Sequence, residues 1–238
     1  VLSEQIMTLI QSSLDDASIN KNVRVIIISA EGPSFSAGHD LKELKAGRKN
    51  ADKGENYFLE IMTKCSKLMQ SIVNNPKPVI AEIGGTATAA GCQLVASCDL
   101  AYAGKSARFA TPGVNIGLFC STPMVALSRN VPNKNSMEML LTGELISSEK
   151  AEKIGLINKV IDDSNLQSYT LKMALKISKK SSMTVKIGKK AFYKQVDMTL
   201  SEAYDYASKV MVDNMLKVDA EEGIDAFIEK RNPNWQDK

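Results

Sequence analysis

The sequence predicts a mixed α/β (α+β) fold, and three observations carry that expectation. β-branched apolar runs recur between amphipathic stretches as far as about residue 162. From Ser164 onward the pattern is helical throughout. Turns crowded with glycine and alanine follow two of the apolar runs, as expected where a strand hands over to its next element. The expected division of the 238 residues is therefore an α/β core over 1–162 and a helical region over 163–238.

The opening LSEQIMTLIQSSLDDA offers Ser3 as an N-cap, then Ile6, Leu9, Ile10 and Leu14 at helical spacing. VRVIIISA (23–30) is too continuous for in-and-out alternation and reads as a buried strand. It ends in the turn-rich EGPSFSAGHDL, and the charged AGRKNADKGEN (46–56) reads as a solvated loop. YFLEIMTKCSKLMQSIVN (57–74) is a long amphipathic helix ended by NNPKP. VIAEI (79–83) is a second buried strand; after it GGTATAAGCQLVASCDLAYA gives a small-residue turn, a short helix and a strand from near Asp99. Helices over 121–130, 134–141 and 147–153 precede a strand at 157–161. Helices over 164–178, 181–195, 199–217 and 219–230 complete the chain.

Composition excludes several classes. The net charge is only +3 with acids and bases interspersed, so no basic stripe suits a nucleic acid. Lys176, Lys179, Lys180, Lys186, Lys189 and Lys190 read as a solvated helix face, with docking of an anionic ligand as the alternative. Cys65, Cys92, Cys98 and Cys120 form no C-x-x-C pair and share the chain with one histidine, so no metal site is expected. The same cysteines outline no disulfide framework, which suits a reducing compartment. No apolar run approaches the roughly 18 residues of a membrane span. Val1 opens directly into a helical pattern with no initiator Met, so the natural N-terminus is expected to lie outside this sequence.

Chemistry is suggested by the two small-residue turns, Phe35-Ser36-Ala37-Gly38-His39-Asp40 and Gly84-Gly85 through Ala89-Ala90-Gly91. Backbone N–H groups exposed there bind negative charge, and the second turn opens a helix whose dipole adds to the effect. Two such donors meeting at one oxygen would form an oxyanion hole. Tight packing between layers is the competing reading of the same spacing. GGTATAAG lacks the G-x-G-x-x-G spacing of a dinucleotide site.

Four collinear blocks now carry a resemblance. FSAGHDLKEL, NPKPVIAEIGGTATAAGCQLVASCDLAYAGKSARFATPGVNIGL, LLTGELISSEKAEKIGLINKVI and EGIDAFIEKRNPNW together resemble the crotonase (enoyl-CoA hydratase/isomerase) superfamily across essentially the whole chain. SAGHD combined with ATPGVNIGLFCSTP is most similar to one branch of it. The resemblance implies a crotonase-like ββα spiral core and a C-terminal helical region that builds homotrimers, often paired into hexamers. It implies a first strand and a CoA-clamping loop ahead of LSEQ, for which this sequence has no counterpart. It implies an acyl-CoA partner, with the coenzyme A thioester as substrate or ligand and no separate cofactor. Carried over by position, the oxyanion donors are the backbone N–H groups of His39 and Ala90. Ala37 and Lys42 match positions near the CoA adenine and phosphates, and Phe227 and Lys230 match a C-terminal CoA contact. Bacterial cytoplasm and mitochondrial matrix both suit such a protein.

The pattern breaks at the acid/base positions. Hydratases of the family use two glutamates to activate water and deliver a proton; the matching positions here hold Gln93 and Gly113. An amide does not exchange protons near neutral pH, and glycine has no side chain. Loss of one general acid or base costs about 100- to 10,000-fold, so efficient hydration is not expected. The His39 ring, Cys92, Cys120, Ser121, Thr122, Glu82, Asp99 and Glu144 are the other polar groups near the motifs. Packing is the expected role of the two cysteines, helix capping that of Ser121, and structure that of the three carboxylates. One histidine and no serine-nucleophile context leave nothing for a Ser-His-Asp set. Two readings remain. One is an acyl-CoA enzyme running chemistry other than hydration, such as decarboxylation of a malonyl-type thioester. The other is a catalytically silent acyl-CoA-binding or scaffold protein.

Overall fold

A computed structural model describes residues 1–238. Helix α1 (Glu4–Ile19) starts where expected, with Ser3 Oγ accepting the Ile6 N–H at 3.3 Å. Strands β1 (Ile26–Ser29) and β2 (Ser34–Ser36) follow, then α2 (Leu41–Gly47) and α3 (Glu55–Asn74). The same order returns as β3 (Val79–Ile83), β4 (Thr86–Thr88) and α4 (Ala90–Ser97). A third unit opens with β5 (Leu100–Gly104) and β6 (Arg108–Ala110), followed by a 3-10 turn (Pro112–Ile116), α5 (Pro123–Asn130) and α6 (Asn133–Thr142). Strand β7 (Ile146–Ser147), α7 (Ser148–Lys153) and β8 (Lys159–Ile161) close the strand-bearing part. The rest is α8 (Leu166–Ser178), α9 (Ser182–Gln195), α10 (Leu200–Met215) and α11 (Val218–Ile228).

Each turn of the chain lays one strand in each of two sheets. The first sheet runs β1-β3-β5-β8, all parallel. The second runs β2-β4-β6-β7, parallel except for the last pair. Two strands and a helix per turn make a ββα spiral, the arrangement the resemblance implies. Strand β3 shows why its sequence does not alternate. Val79, Ala81 and Ile83 enter the main core of α1, α3, α4 and α5, while Ile80 faces the other way. Ile80 joins Tyr102, Ile161, Leu166 and Ala174 beneath α8. Both faces are covered, so both faces are apolar.

The structure selects among the apolar residues of α1 and corrects one sequence expectation. Ile6 and Leu9 are 40% and 54% exposed, while Met7 and Leu14 are buried with Ile10 packed beside them. Both sets have helical spacing; the face that meets α3 decides between them. Lys189 departs from the solvated lysine face. Its Nζ donates to the Ile72 and Lys77 carbonyls at 3.0 Å and to Asp99 Oδ2 at 2.7 Å. Asp99 also accepts the Tyr193 hydroxyl at 2.9 Å and the Val79 N–H at 2.7 Å. A buried ammonium is tolerated because all three of its donors are satisfied. This node ties α9 to the start of β5. By contrast α10, α11 and the turn between them leave Leu200, Met211, Leu216, Phe227 and Ile228 open to solvent in a single chain. No helix is long and apolar enough to cross a membrane.

Candidate active site

Three parallel strands of the second sheet end at one edge, where ligands of parallel-sheet proteins characteristically bind. β2 runs into Ala37-Gly38-His39, β4 into Ala89-Ala90, and β6 into Thr111-Pro112-Gly113. The ladder continues one residue past β4, since the Ala89 N–H donates to the Ala110 carbonyl at 3.0 Å. Ala89 then turns sharply at φ 51° and ψ −120°, a conformation costly for a residue with a Cβ. That turn starts α4, so the Ala90 N–H heads the helix without an acceptor inside it.

The first turn is held against the second by the absence of a side chain. Gly38 has φ +89°, and a Cβ added there would lie 2.9 Å from Ala89 Cβ and 3.1 Å from the Ala90 nitrogen. Gly91 is closer still, since a Cβ added there would run into the Ser36 carbonyl. Both polar backbone groups of Gly38 are occupied: its N–H donates to Ser36 Oγ at 3.2 Å and its carbonyl accepts from Leu2 N–H at 2.7 Å. The next N–H, that of His39, donates to nothing in the protein. The structure therefore brings the 37–39 and 89–91 turns together, with the His39 donor free and the Ala90 donor at a helix start.

The His39 ring is a separate matter. Its two nitrogens are sealed from solvent and have no hydrogen-bond partner. Burial holds its pKa below the ordinary histidine value, opposed by the neighbouring Leu2 backbone and by the charge of Glu43. The ring lies beside Leu2 without reaching hydrogen-bond geometry.

Gln93 and Gly113 stand at the two positions where the sequence resemblance implies glutamates. Gln93 is 4% exposed and sits one helical turn after Ala90. Its Oε1 lies 4.0 Å from the Cys65 thiol, which burial keeps protonated by raising its pKa to about 11. Gly113 is closed off by Cys120. The Gly113 N–H donates to Cys120 Sγ at 3.3 Å, and a Cβ on Gly113 would stand 2.9 Å from that sulfur and 2.7 Å from the Leu118 carbonyl. Cys92 is near enough to feel Cys120, and burial pushes its thiol up to about 12. These thiols stay protonated at neutral pH, in keeping with their expected packing role. Thr111 Oγ1, wholly buried beside Gly113, has no partner.

The remaining candidates scatter. Ala37 and Lys42 are exposed, the Lys42 N–H being taken by the Asp40 cap of α2 at 2.8 Å. Phe227 is 86% exposed and lines a cleft of about 490 Å³ between α9, α10, α11 and the tail around Trp235. Lys230 follows α11 at φ 57°. No hydrogen bond or ion pair joins this end to residues 37–42 within one chain. Ser121 is corrected as a cap: its hydroxyl donates to the Phe119 carbonyl, and α5 begins instead from Thr122 with Pro123 in its first turn. Asp99 is structural, as expected, while Cys65 and Thr111 were not singled out by sequence because only the fold sets them beside Gln93 and Gly113.

Comparison with known proteins agrees with the fold. The model of the enoyl-CoA hydratase/isomerase family matches residues 1–238. The chain is 50% identical over 234 residues to enoyl-CoA hydratase domain-containing protein 3, mitochondrial, of Mus musculus, covering 98% of this chain and 76% of that protein. The crystal structure of human enoyl coenzyme A hydratase domain-containing protein 3 superposes with a TM-score of 0.93 at 50% identity, covering 98% of this chain and 90% of that one. A crystal structure of enoyl-CoA hydratase from Mycobacterium smegmatis gives 0.93 at 43% identity, over 99% of this chain and 90% of that one. The branch suggested by SAGHD and ATPGVNIGLFCSTP is the one these mammalian relatives represent.

Proposed function

This chain belongs to the enoyl-CoA hydratase/isomerase family, and from that premise we propose that it binds acyl-CoA thioesters with the thioester oxygen between the His39 and Ala90 N–H groups. The supporting observation is the seating of Gly38 against the Ala90 nitrogen, with the His39 N–H left undonated. Donors held in place before a ligand arrives favour the oxygen charge of an enolate or tetrahedral intermediate by several kcal/mol.

The reaction differs from hydration in this reading. Gln93 carries no exchangeable acid, and the space beside Gly113 is taken by Cys120 and the Leu118 carbonyl. Loss of CO₂ from a malonyl-type thioester yields the enolate without a general base, so decarboxylation is the most economical chemistry for such a site. Ala37 and Lys42 would meet the CoA adenine and phosphates. Phe227 and Lys230 would contribute from a neighbouring copy, since they stand apart from that segment within one chain. The exposed apolar side chains of α10 and α11 would be the faces on which a trimer, or a hexamer of paired trimers, assembles. Mitochondrial matrix or bacterial cytoplasm is the proposed setting, after the mitochondrial mouse protein and the mycobacterial one.

A catalytically silent acyl-CoA binder is the second reading, favoured by the closed space at Gly113. The test is incubation of the full chain at high concentration with malonyl-, methylmalonyl-, 3-enoyl- and saturated acyl-CoAs, followed by mass spectrometry, alongside calorimetric binding. Conversion of a malonyl-type ester supports the first reading. Binding with unchanged ligand supports the second, near-normal hydration of crotonyl-CoA overturns the change of chemistry, and no heat with any ester overturns both.

A further inference from the structure

We propose that the Gln93 amide is a specificity-determining donor, selecting acyl groups that carry an acceptor oxygen at the third carbon, as a ketone or a carboxylate. The inference rests on the acyl-CoA reading above and names the substrate class within it.

Gln93 and Ala90 are three residues apart on α4. Residues so spaced lie on one helix face with Cβ atoms roughly 5–6 Å apart. An acyl chain whose thioester oxygen meets the Ala90 N–H would therefore extend its second and third carbons toward the Gln93 side chain.

One weak contact orients the amide there. Cys65 is fully buried and its thiol stays protonated at neutral pH, so it acts toward Gln93 as a weak donor. The thiol lies on the Oε1 side at 4.0 Å, which directs Nε2 the other way. Nε2 donates to no protein group, and unlike the His39 nitrogens it is not wholly sealed. A side chain that is 4% exposed thus presents two unspent N–H donors where the hydratases of the family place a carboxylate. A carboxylate there repels an anion and accepts a proton. An amide held by its oxygen does neither; it offers positive hydrogen to an acceptor. A saturated chain leaves those donors unpaired beside it, which penalises binding. Cys65 acts through Gln93 and is a positioning residue.

The experiment is calorimetric titration of the full chain with acetoacetyl-CoA, malonyl-CoA and butyryl-CoA, repeated on Gln93→Leu and Cys65→Ala. The first two ligands distinguish a ketone from a carboxylate as the favoured oxygen. Gln93→Leu is expected to weaken at least one of them by roughly tenfold, the worth of one buried hydrogen bond, while butyryl-CoA binding holds or tightens because the unpaired donors are gone. Cys65→Ala, which frees the amide to rotate without removing it, is expected to give a smaller loss on the same ligand. It also serves if Gln93→Leu fails to fold. Equal losses on all three ligands, or none, overturn this proposal alone. No heat with any of the three on the parent chain overturns the acyl-CoA reading together with it.

Discussion

Cys120 Sγ accepts the Gly113 N–H at 3.3 Å and occupies space that any side chain on Gly113 would need. Gly113→Glu alone is therefore expected not to create hydratase activity. The added atoms meet the sulfur and the Leu118 carbonyl, and overpacking of this kind costs about 1–3 kcal/mol. A lowered melting temperature with no gain in crotonyl-CoA hydration is the expected pair of measurements. Hydration rising in the single variant would show that the loop yields freely.

Gly38→Ala tests the contact between the two turns. Its φ of +89° disfavours a Cβ, and that Cβ would press on Ala89 and on the Ala90 nitrogen. Calorimetry should find acyl-CoA binding lost by more than the accompanying fall in stability explains. His39→Ala keeps the backbone N–H and should retain binding within a few fold; equal losses in both variants would contradict a backbone role.

His39 is the only histidine, so stability changes in the histidine range belong to it. Burial lowers its folded pKa, whereas in the unfolded chain it titrates near 6.5. Between those values the unfolded chain binds more protons, so stability rises with pH there. Stability is thus full above about 6.5 and falls as the pH drops toward the folded value. Urea titrations from pH 7 down to 5 should show this fall, and it should flatten in His39→Leu.

Lys189→Met should destabilise the protein by about 3 kcal/mol, because it leaves Asp99 without its buried counter-charge. Urea denaturation measures the loss. Asp99→Asn with Lys189→Met should recover part of it, since neither charge then remains.

Light scattering should give a mass of about three or six times 25.9 kDa. Replacing Leu200 and Met211 with glutamate should reduce it toward the single chain, as charges on an apolar contact face oppose burial.

The sequence was legible where elements are long or fully buried. VIAEI is β3 to the residue, and α3, α8, α9 and α11 fall within a few residues of their expected bounds. Strands β2, β4 and β6, three residues each, are too short to show a period, so the whole second sheet was unseen as a sheet. Yet that sheet aims the turns of the candidate site. The 37–39 and 89–91 turns could be singled out by their small residues; that Gly38 touches Ala90 is a matter of strand register. The burial of Lys189 is not legible, because its partner Asp99 is 90 positions away and a lysine shows no sign of burial in its own neighbourhood.

Alanine at position 89 holds a backbone angle more natural to glycine. A methyl group there narrows the conformations open to the loop, and the bond to the Ala110 carbonyl on one side and α4 on the other hold the turn. The amide that follows is consequently fixed in direction before anything binds. An incoming oxygen would meet a rigid donor, and little ordering of the loop would remain to be done on arrival.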